Sequence, residues 1–191
     1  MDADRFAKVE IADTAALWAW LDRHHAQDDS IWFVTYKAAD RARYVSRDAV
    51  LDALMAYGRI DGRRMALDAA RTMPLISKRR TQDWTASYRA RAEALMAAGR
   101  IREPGLAANE AARASGSWLA RPDVDALAVP ADLAEALAAR PGAAGWFEAA
   151  APSYRRNFLR WIAKAKHAET RAMRITATAT ASAKAEKLPQ M

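Results

Sequence analysis

Basic and aromatic side chains are concentrated in one stretch, residues 57–84, and such side chains bind anions. The residues concerned are Arg63, Arg64, Lys78, Arg79, Arg80 and Trp84. Guanidinium and ammonium groups donate charge-assisted hydrogen bonds to phosphates and carboxylates, and a tryptophan ring stacks on cations. The stretch therefore predicts either an anion-binding site or a stack of arginine on Trp84 that fixes the stretch to the helix that follows.

Two residues are candidates for a general base beside these cations. Asp61 lies in the same stretch, and His25 is the second of two adjacent histidines. Either can accept a proton from an anionic substrate that the arginines hold. The structural alternatives are an ion pair of Asp61 with Arg63 or Arg64, and a histidine that interacts with the end of a helix. We favour the structural alternatives.

The sequence has no motif that specifies a cofactor, a metal or a covalent intermediate. Gly58 and Gly62 do not have the spacing of a phosphate-binding or dinucleotide-binding loop, and the three histidines do not have the spacing of metal ligands. There is no cysteine, which excludes disulfides and thiolate sites. We therefore expect no cofactor and no metal, and we favour a protein without catalysis.

The formal net charge is +7, and the excess lies in two blocks. Residues 59–80 hold seven basic and two acidic residues, and residues 154–174 hold seven basic residues and one acidic residue. Two blocks on one face would bind nucleic acid, but short basic blocks are more often solvated surfaces. The sequence has no signal-peptide pattern and no apolar run near the roughly 20 residues that span a bilayer. We expect a soluble, cytoplasmic protein.

Strands are predicted in the first half of the chain. Residues 6–11 and 31–37 are rich in apolar, aromatic and β-branched residues, which favour strands. Residues 59–80 interleave apolar and charged side chains, which indicates a hairpin with its cations facing outward. Pro74 favours an edge position for the second strand of that hairpin, because proline cannot donate to a ladder.

Helices are predicted between the strands and throughout the second half. Asp13 and Ser46 have the position of N-caps, and Gly58 has the position of a helix stop in the left-handed conformation. After residue 83, the spacing of proline and glycine predicts a series of helices. The last of them is predicted to continue without a break from Ser153 through the alanine- and threonine-rich tail.

A specific pattern near the C-terminus identifies a family. Its residues are Pro130, Asp132, Leu133, Ala136, Leu137, Phe147, Pro152, Ser153, Tyr154, Arg155, Arg156, Trp161, Ile162, Ala165, Lys166, Glu169, Thr170, Arg171, Arg174 and Ile175. With this pattern the chain resembles the YdeI/OmpD-associated family, also called the bacteriocin-protection family, over about residues 6–187. Arg59 stands where the family usually has tryptophan. The resemblance implies an α+β fold, with a small antiparallel N-terminal sheet and helices, followed by a helical C-terminal half.

The resemblance implies no established reaction, although it ties some relatives to envelope stress, antimicrobial tolerance and a porin. We expect one domain over residues 1–191, with an α+β part at about 5–100, a helical part at about 101–187 and a frayed end at 188–191. The favoured function is a cytoplasmic stress- or antimicrobial-tolerance binding protein, whose basic hairpin holds an anionic small molecule or a protein partner. The alternatives are a small enzyme acting on an anionic substrate and a nucleic-acid-binding protein. We expect no membrane span, and a monomer or homodimer.

Overall fold

The computed structural model describes residues 5–80 and 82–188, which form two compact units. The sheet unit ends at Ala120, and the helical unit begins at Arg121. The strands are β1 Lys8–Ile11, β2 Ile31–Tyr36, β3 Arg59–Ala66 and β4 Arg71–Lys78. The helices of the sheet unit are α1 Thr14–His24, α2 Arg47–Ala56, α3 Ala86–Ala97 and α4 Glu103–Ala114, followed by a 3-10 turn at Ser117–Leu119. The helices of the helical unit are α5 Pro122–Asp125, α6 Ala131–Ala138, α7 Ala143–Ala149, α8 Pro152–Ala163 and α9 Ala168–Ala183. In the described part of the chain, no helix is both long and apolar enough to cross a membrane.

The four strands form one sheet in the order β1-β2-β4-β3. β4 pairs antiparallel with both β2 and β3, whereas β1 runs parallel to β2, with Val9 opposite Phe33. The parallel pair follows from α1, because two parallel neighbours need a crossover connection and α1 provides it. The predicted α+β class is confirmed, and the sheet is antiparallel except at β1.

β4 is an interior strand, so the prediction that Pro74 marks an edge strand is wrong. Proline lacks the N–H that an interior strand donates, and it is tolerated there only at a bulge. The register between β3 and β4 shifts between Asp61 and Arg64, and Pro74 is opposite Arg64 at this irregularity. The bulge therefore accommodates a proline in the middle of the sheet.

One face of the sheet packs on α1 and α2. The shared core includes Ile11, Leu17, Leu21, Ile31, Phe33, Val50, Leu54 and Ile76. Both predicted caps are confirmed, since Asp13 Oδ1 accepts the N–H of Ala16 at 2.7 Å and Ser46 Oγ accepts the N–H of Ala49 at 3.1 Å. Gly58 follows α2 with a φ of +63°, as predicted for a helix stop.

A close crossing holds α4 against the end of α2. A Cβ atom at Gly105 would lie 2.3 Å from the carbonyl oxygen of Ala56, which is far closer than a real contact. The N–H of Arg102 donates to the same carbonyl at 3.0 Å. Only glycine permits this approach. The crossing makes α4 part of the sheet unit.

The helical unit packs around the side chains that the C-terminal pattern specifies. Its core includes Leu133, Leu137, Phe147, Tyr154, Phe158, Ile162, Ile175 and Ala179. The prediction of one unbroken last helix is wrong, because His167 is extended (φ −121°, ψ 145°) and separates α8 from α9. The break allows Ile175 and Ile162 to join the same core. The predicted helical tail is confirmed up to Ala183, where α9 ends, and residues 184–187 lie outside the helix. Of the predicted frayed end, residues 189–191 lie outside the described residues.

Candidate functional site

The five cations predicted for the hairpin lie in three different places. Arg63 lies on the sheet face away from α1 and α2, with its Cζ atom 5.3 Å from the centroid of the Trp32 ring. Lys78 Nζ and Arg80 Nη2 lie 3.2 and 3.5 Å from Asp28 Oδ1. The hydrogen bond from Lys78, more than any other contact, lowers the pKa of the Asp28 carboxyl group. The remaining two cations lie near the carboxylate of the same hairpin.

Of these five cations, Arg79 is the one that the structure buries, with only 7% of its surface exposed. Its Cζ atom lies 4.1 Å from the Trp84 ring centroid and 5.1 Å from that of Tyr88. Burial lowers the pKa of its guanidinium group. Nη1 donates to the Gln82 carbonyl at 3.4 Å, and Nε has no hydrogen-bond partner among the described residues. The stack on Trp84, one of the two predicted alternatives, is therefore present, and it leaves a buried donor unpaired.

Tyr88 fixes the carboxylate of Asp61. Its hydroxyl group donates to Asp61 Oδ1 at 2.8 Å. Thr85 sets the start of α3, since its Oγ1 accepts the N–H of Tyr88 at 3.3 Å. Burial, and after it the charge of Asp61, raises the pKa of Tyr88 to about 12. Tyr88 therefore keeps its proton near neutral pH and acts as a hydrogen-bond donor rather than a base.

Arg64 interacts with Asp61 through its charge, and Arg47 interacts in the same way with Arg64 and Tyr88. Arg64 lies on β3, and Arg47 is the first residue of α2. Desolvation lowers the pKa of Arg64, the charge of Asp61 raises it, and the charge of Arg47 lowers it. Across residues 5–80 and 82–188, neither guanidinium group has an ion-pair or hydrogen-bond partner. We refer to Asp61, Tyr88, Arg47, Arg64 and Arg79 together as the Asp61 site.

The Asp61 site combines three cations with one anion. One oxygen of Asp61 accepts from Tyr88, and the other has no partner among the described residues. Guanidinium groups bind the oxygens of phosphates and carboxylates in a planar, often bidentate geometry. An unpaired carboxylate oxygen accepts a hydroxyl or amine hydrogen. The site is thus chemically suited to a ligand that has both an anionic group and a donor.

Arg47 and Tyr88 were not among the residues predicted for this site. Tyr88 reaches Asp61 from α3, and Arg47 begins α2, which packs beside β3; no spacing in the sequence links either residue to Asp61. The one usable signal is Thr85, a capping residue that makes Tyr88 the first aromatic residue of α3. No comparable sequence signal distinguishes Arg47 from the other arginines of the chain.

His25 does not contact the residues of the Asp61 site. Its Nδ1 atom lies 3.1 Å from the carbonyl oxygen of Leu21 at the end of α1. The buried Arg59 donates from Nη2 to the carbonyls of three residues at the same helix end, His24, His25 and Gln27. Carbonyls at the end of a helix lack partners, and a cation is favourable there. Arg59 therefore has a structural role at the position where the resemblance has tryptophan.

The charged residues of the C-terminal pattern also form internal contacts. Arg171 binds both carboxylate oxygens of Asp132, with Nε to Oδ2 at 2.6 Å and Nη2 to Oδ1 at 2.9 Å. Arg174 donates to the carbonyl of Trp161, and its Cζ atom lies 5.2 Å from the ring centroid of that residue. These contacts join α9 to α6 and α8. They account for this part of the pattern by packing alone.

Comparison with protein families separates the same two parts of the chain. Residues 9–108, just over half of the chain, match the family model described as a domain of unknown function, DUF8412. The chain belongs to this family. Residues 126–185 match the model described as bacteriocin-protection, YdeI or OmpD-associated, which confirms the predicted resemblance for that part of the chain. Comparison with curated proteins and with solved structures finds no significant match.

The two family matches cover different candidate residues. The DUF8412 region contains all five residues of the Asp61 site. The YdeI/OmpD-associated domain contains the contacts of Asp132, Trp161, Arg171 and Arg174. The Asp61 site thus lies in the DUF8412 region, whose description names no function.

Proposed function

We propose that the protein binds a small anionic ligand at the Asp61 site and does so without catalysis. The observation that carries this proposal is Arg64, whose guanidinium group has no partner among the described residues and feels the charge of Asp61, a carboxylate with one open oxygen. Arg47, likewise without a partner in the described part of the chain, adds its charge to that of Arg64. Arg79 adds a third guanidinium group, whose buried Nε is also unpaired. A bound phosphate or carboxylate would neutralise the excess positive charge and accept hydrogen bonds from these groups, of which the buried Nε of Arg79 is the one that lacks water as well as a described partner.

The proposed setting is the cytoplasm, in a role related to stress or antimicrobial tolerance. The support for that role is the printed description of the family that matches residues 126–185, which includes bacteriocin protection. The support for binding without catalysis is the state of Tyr88, which is held protonated and bonded to Asp61. This leaves the site with donors and cations that are suited to holding a ligand.

A small enzyme is the second candidate, because the open oxygen of Asp61 can also accept a proton from a bound substrate. In that case Asp61→Asn would abolish turnover and leave binding of the substrate nearly unchanged. For a binding protein, the same variant changes affinity and there is no turnover to lose.

Calorimetric titration with ribose 5-phosphate at low ionic strength tests the proposal. We expect saturable binding to the wild type, and Arg64→Gln should weaken it at least about tenfold, since hydrogen bonds to charged groups contribute roughly 1.5–3 kcal/mol. Arg63→Gln is the matched control, because it removes the same charge one residue away on the opposite face of the sheet. The control should change the affinity less than about twofold.

Two results would count against the proposal. An absence of binding to the wild type would remove its basis. Equal weakening in Arg63→Gln and Arg64→Gln would show that net charge alone attracts the anion, with no defined site.

A further inference from the structure

A cavity of about 260 Å³ lies in the helical unit, between the turn that ends α5, the end of α8 and the first turn of α9. Its walls are mostly apolar. The residues that line it are Asp123, Val124, Ala128, Val129, Pro130, Ile162, Ala163 and Arg171. Water in such a space finds few hydrogen-bond partners, so an apolar group that displaces it gains affinity. The cavity is therefore suited to an aliphatic chain.

The turn that forms one wall is fixed by its own backbone. The N–H of Leu127 donates to the Val124 carbonyl at 3.2 Å, and the N–H of Ala128 donates to the Asp123 carbonyl at 2.9 Å. This pair of bonds is a Schellman motif, whose left-handed position is usually glycine. Here the position is Leu127, with a φ of +58°. A leucine persists in this conformation only where its surroundings fix it, and Leu127 packs against the core of the unit.

Polar contacts fix the other walls of the cavity. Arg121 Nη1 donates to the Ala163 carbonyl at 3.1 Å, which ties the end of α8 to the start of α5. Arg171 binds both carboxylate oxygens of Asp132, at 2.6 and 2.9 Å. The cavity is thus formed before any ligand arrives, and binding costs little conformational freedom.

Asp123 gives the cavity a negative charge that no other residue matches. Its side chain is exposed and has no ion pair or hydrogen bond with any residue in the ranges 5–80 and 82–188. The other charged residue of the lining is Arg171, whose charge is neutralised by Asp132. A ligand that matches both the apolar walls and the remaining charge has an aliphatic chain and a cationic group.

We propose that this cavity binds a primary alkylammonium ion. The aliphatic chain packs against Val124, Val129 and Ile162, and the ammonium group forms an ion pair with Asp123. Each methylene group removed from water contributes to affinity, whereas an ion pair with an exposed carboxylate contributes little. The chain therefore provides most of the affinity, and Asp123 selects the sign of the ligand charge. This site lies in the helical unit and does not depend on the ligand of the Asp61 site.

Titration with hexylamine at pH 7 and constant ionic strength tests the inference, followed by the methyl signals of Val124, Val129 and Ile162 in heteronuclear magnetic resonance spectra. We expect these signals to move together and reach saturation. Butylamine should bind about tenfold more weakly, because two fewer methylene groups leave water. Hexanol should bind about threefold more weakly than hexylamine, and hexanoate more weakly still.

Two pairs of variants locate the ligand. Asp123→Asn should reduce the affinity for hexylamine to that for hexanol, whereas Glu135→Gln, which removes the same charge from an exposed residue of α6 outside the lining, should not. Ala128→Phe should fill the cavity and abolish binding of both ligands. Ala126→Phe, at an exposed position of the same turn outside the lining, should leave binding unchanged. Circular dichroism establishes that each variant is folded.

Three results would overturn the inference. Equal affinity for hexylamine and hexanoate would show that the site does not select a cation. Equal weakening in Asp123→Asn and Glu135→Gln would show that net charge alone attracts the amine. Shifts that do not saturate, or that persist in folded Ala128→Phe, would show that the amine does not occupy the cavity.

Discussion

Asp132 in the helical unit and Asp61 in the sheet unit are two carboxylates that face arginines in different ways. Asp132 is closed by Arg171 through two hydrogen bonds of 2.6 and 2.9 Å. Asp61 has two arginines in its electrostatic neighbourhood, Arg64 and Arg79, neither of which bonds to it, and its one described partner is the Tyr88 hydroxyl group. In the Asp132–Arg171 ion pair the two charges neutralise each other. Around Asp61 the arginines are not bonded to the carboxylate, so they can bind another anion.

The difference identifies which charged residues are structural. In the helical unit, Arg171 and Arg174 of the C-terminal pattern are used by packing contacts between helices. In the sheet unit, the hairpin cations divide between structure and binding, and Arg64 is the clearest case without a structural contact. Charged residues in a sequence therefore indicate a binding site only when those that form structural ion pairs are excluded.

The largest expected effect is a loss of stability from a substitution at the crossing of α2 and α4 in the sheet unit. Gly105→Ala would place a Cβ atom 2.3 Å from the Ala56 carbonyl oxygen, and relief of that overlap must shift the backbone. We expect a loss of about 2–3 kcal/mol in the free energy of unfolding, even after the gain in helix propensity. Ribose 5-phosphate binding should also weaken, because α2 and β3 carry Arg47 and Asp61. Urea denaturation followed by circular dichroism measures the stability.

Gly145→Ala in the helical unit is the control for this variant. A Cβ atom at Gly145 meets nothing within 4 Å, so the substitution should raise stability by up to about 1 kcal/mol through helix propensity. A loss of stability at Gly145 as large as that at Gly105 would show that the crossing is not special.

The next effect concerns the proton of Tyr88. Its folded pKa of about 12 exceeds the unfolded value of about 10, so the unfolded state loses its proton first as the pH rises. The corresponding stability is complete below pH 10 and should fall by about 2 kcal/mol by pH 11.5. Tyr88→Phe should remove this part of the alkaline loss. Tyr44→Phe, in which the exposed hydroxyl group is removed, should keep it. Denaturation between pH 9 and 11.5 would contradict the expectation if the three proteins lost stability in parallel.

The smallest expected effect concerns the closed pair of the helical unit. The hydrogen bond and charge of Arg171 lower the pKa of Asp132, so the pair stabilises the fold above about pH 4, and this stability is lost as the pH falls through the folded value. Because both side chains are partly exposed, Arg171→Met should cost only about 0.5–1 kcal/mol at pH 7 and less at pH 3. Urea denaturation at both pH values measures the difference.

Arg64→Gln sharpens the contrast with that pair. It removes a cation from an open cluster, so stability at pH 7 should stay within about 0.5 kcal/mol of the wild type. A cost equal to that of Arg171→Met would indicate that Arg64 is paired in the free protein.

Local signals in the sequence were sufficient for most elements of the fold. Asp13, Ser46 and Gly58 mark helix ends through their own side chains or backbone preferences, and the structure confirms all three. Pro74 misled because its effect depends on the partner strand, where the bulge lies. The break at His167 was missed because its flanking residues are good helix formers, and the core contacts of α9 decide the break.

The candidate site was less accessible to sequence reasoning. Asp61 and Arg64 both belong to the basic stretch at residues 57–84, but Arg63 and Arg64 differ only in the sheet face that they occupy. The bulge in β3 changes that alternation. Tyr88 reaches Asp61 through tertiary packing, which no local spacing reports. Binding at the predicted residues Lys78 and Arg80 stays a prediction, and the structure pairs both with Asp28.

The most direct measurement is a titration with ribose 5-phosphate followed by the arginine Nε–H signals in heteronuclear magnetic resonance spectra. Single substitutions to lysine assign the signals. If the Asp61 site binds the anion, the signals of Arg47, Arg64 and Arg79 move together and reach saturation, while those of Arg63 and Arg171 stay in place. Small, unsaturated shifts spread over all arginines, or saturation at Arg63 instead, would contradict the account.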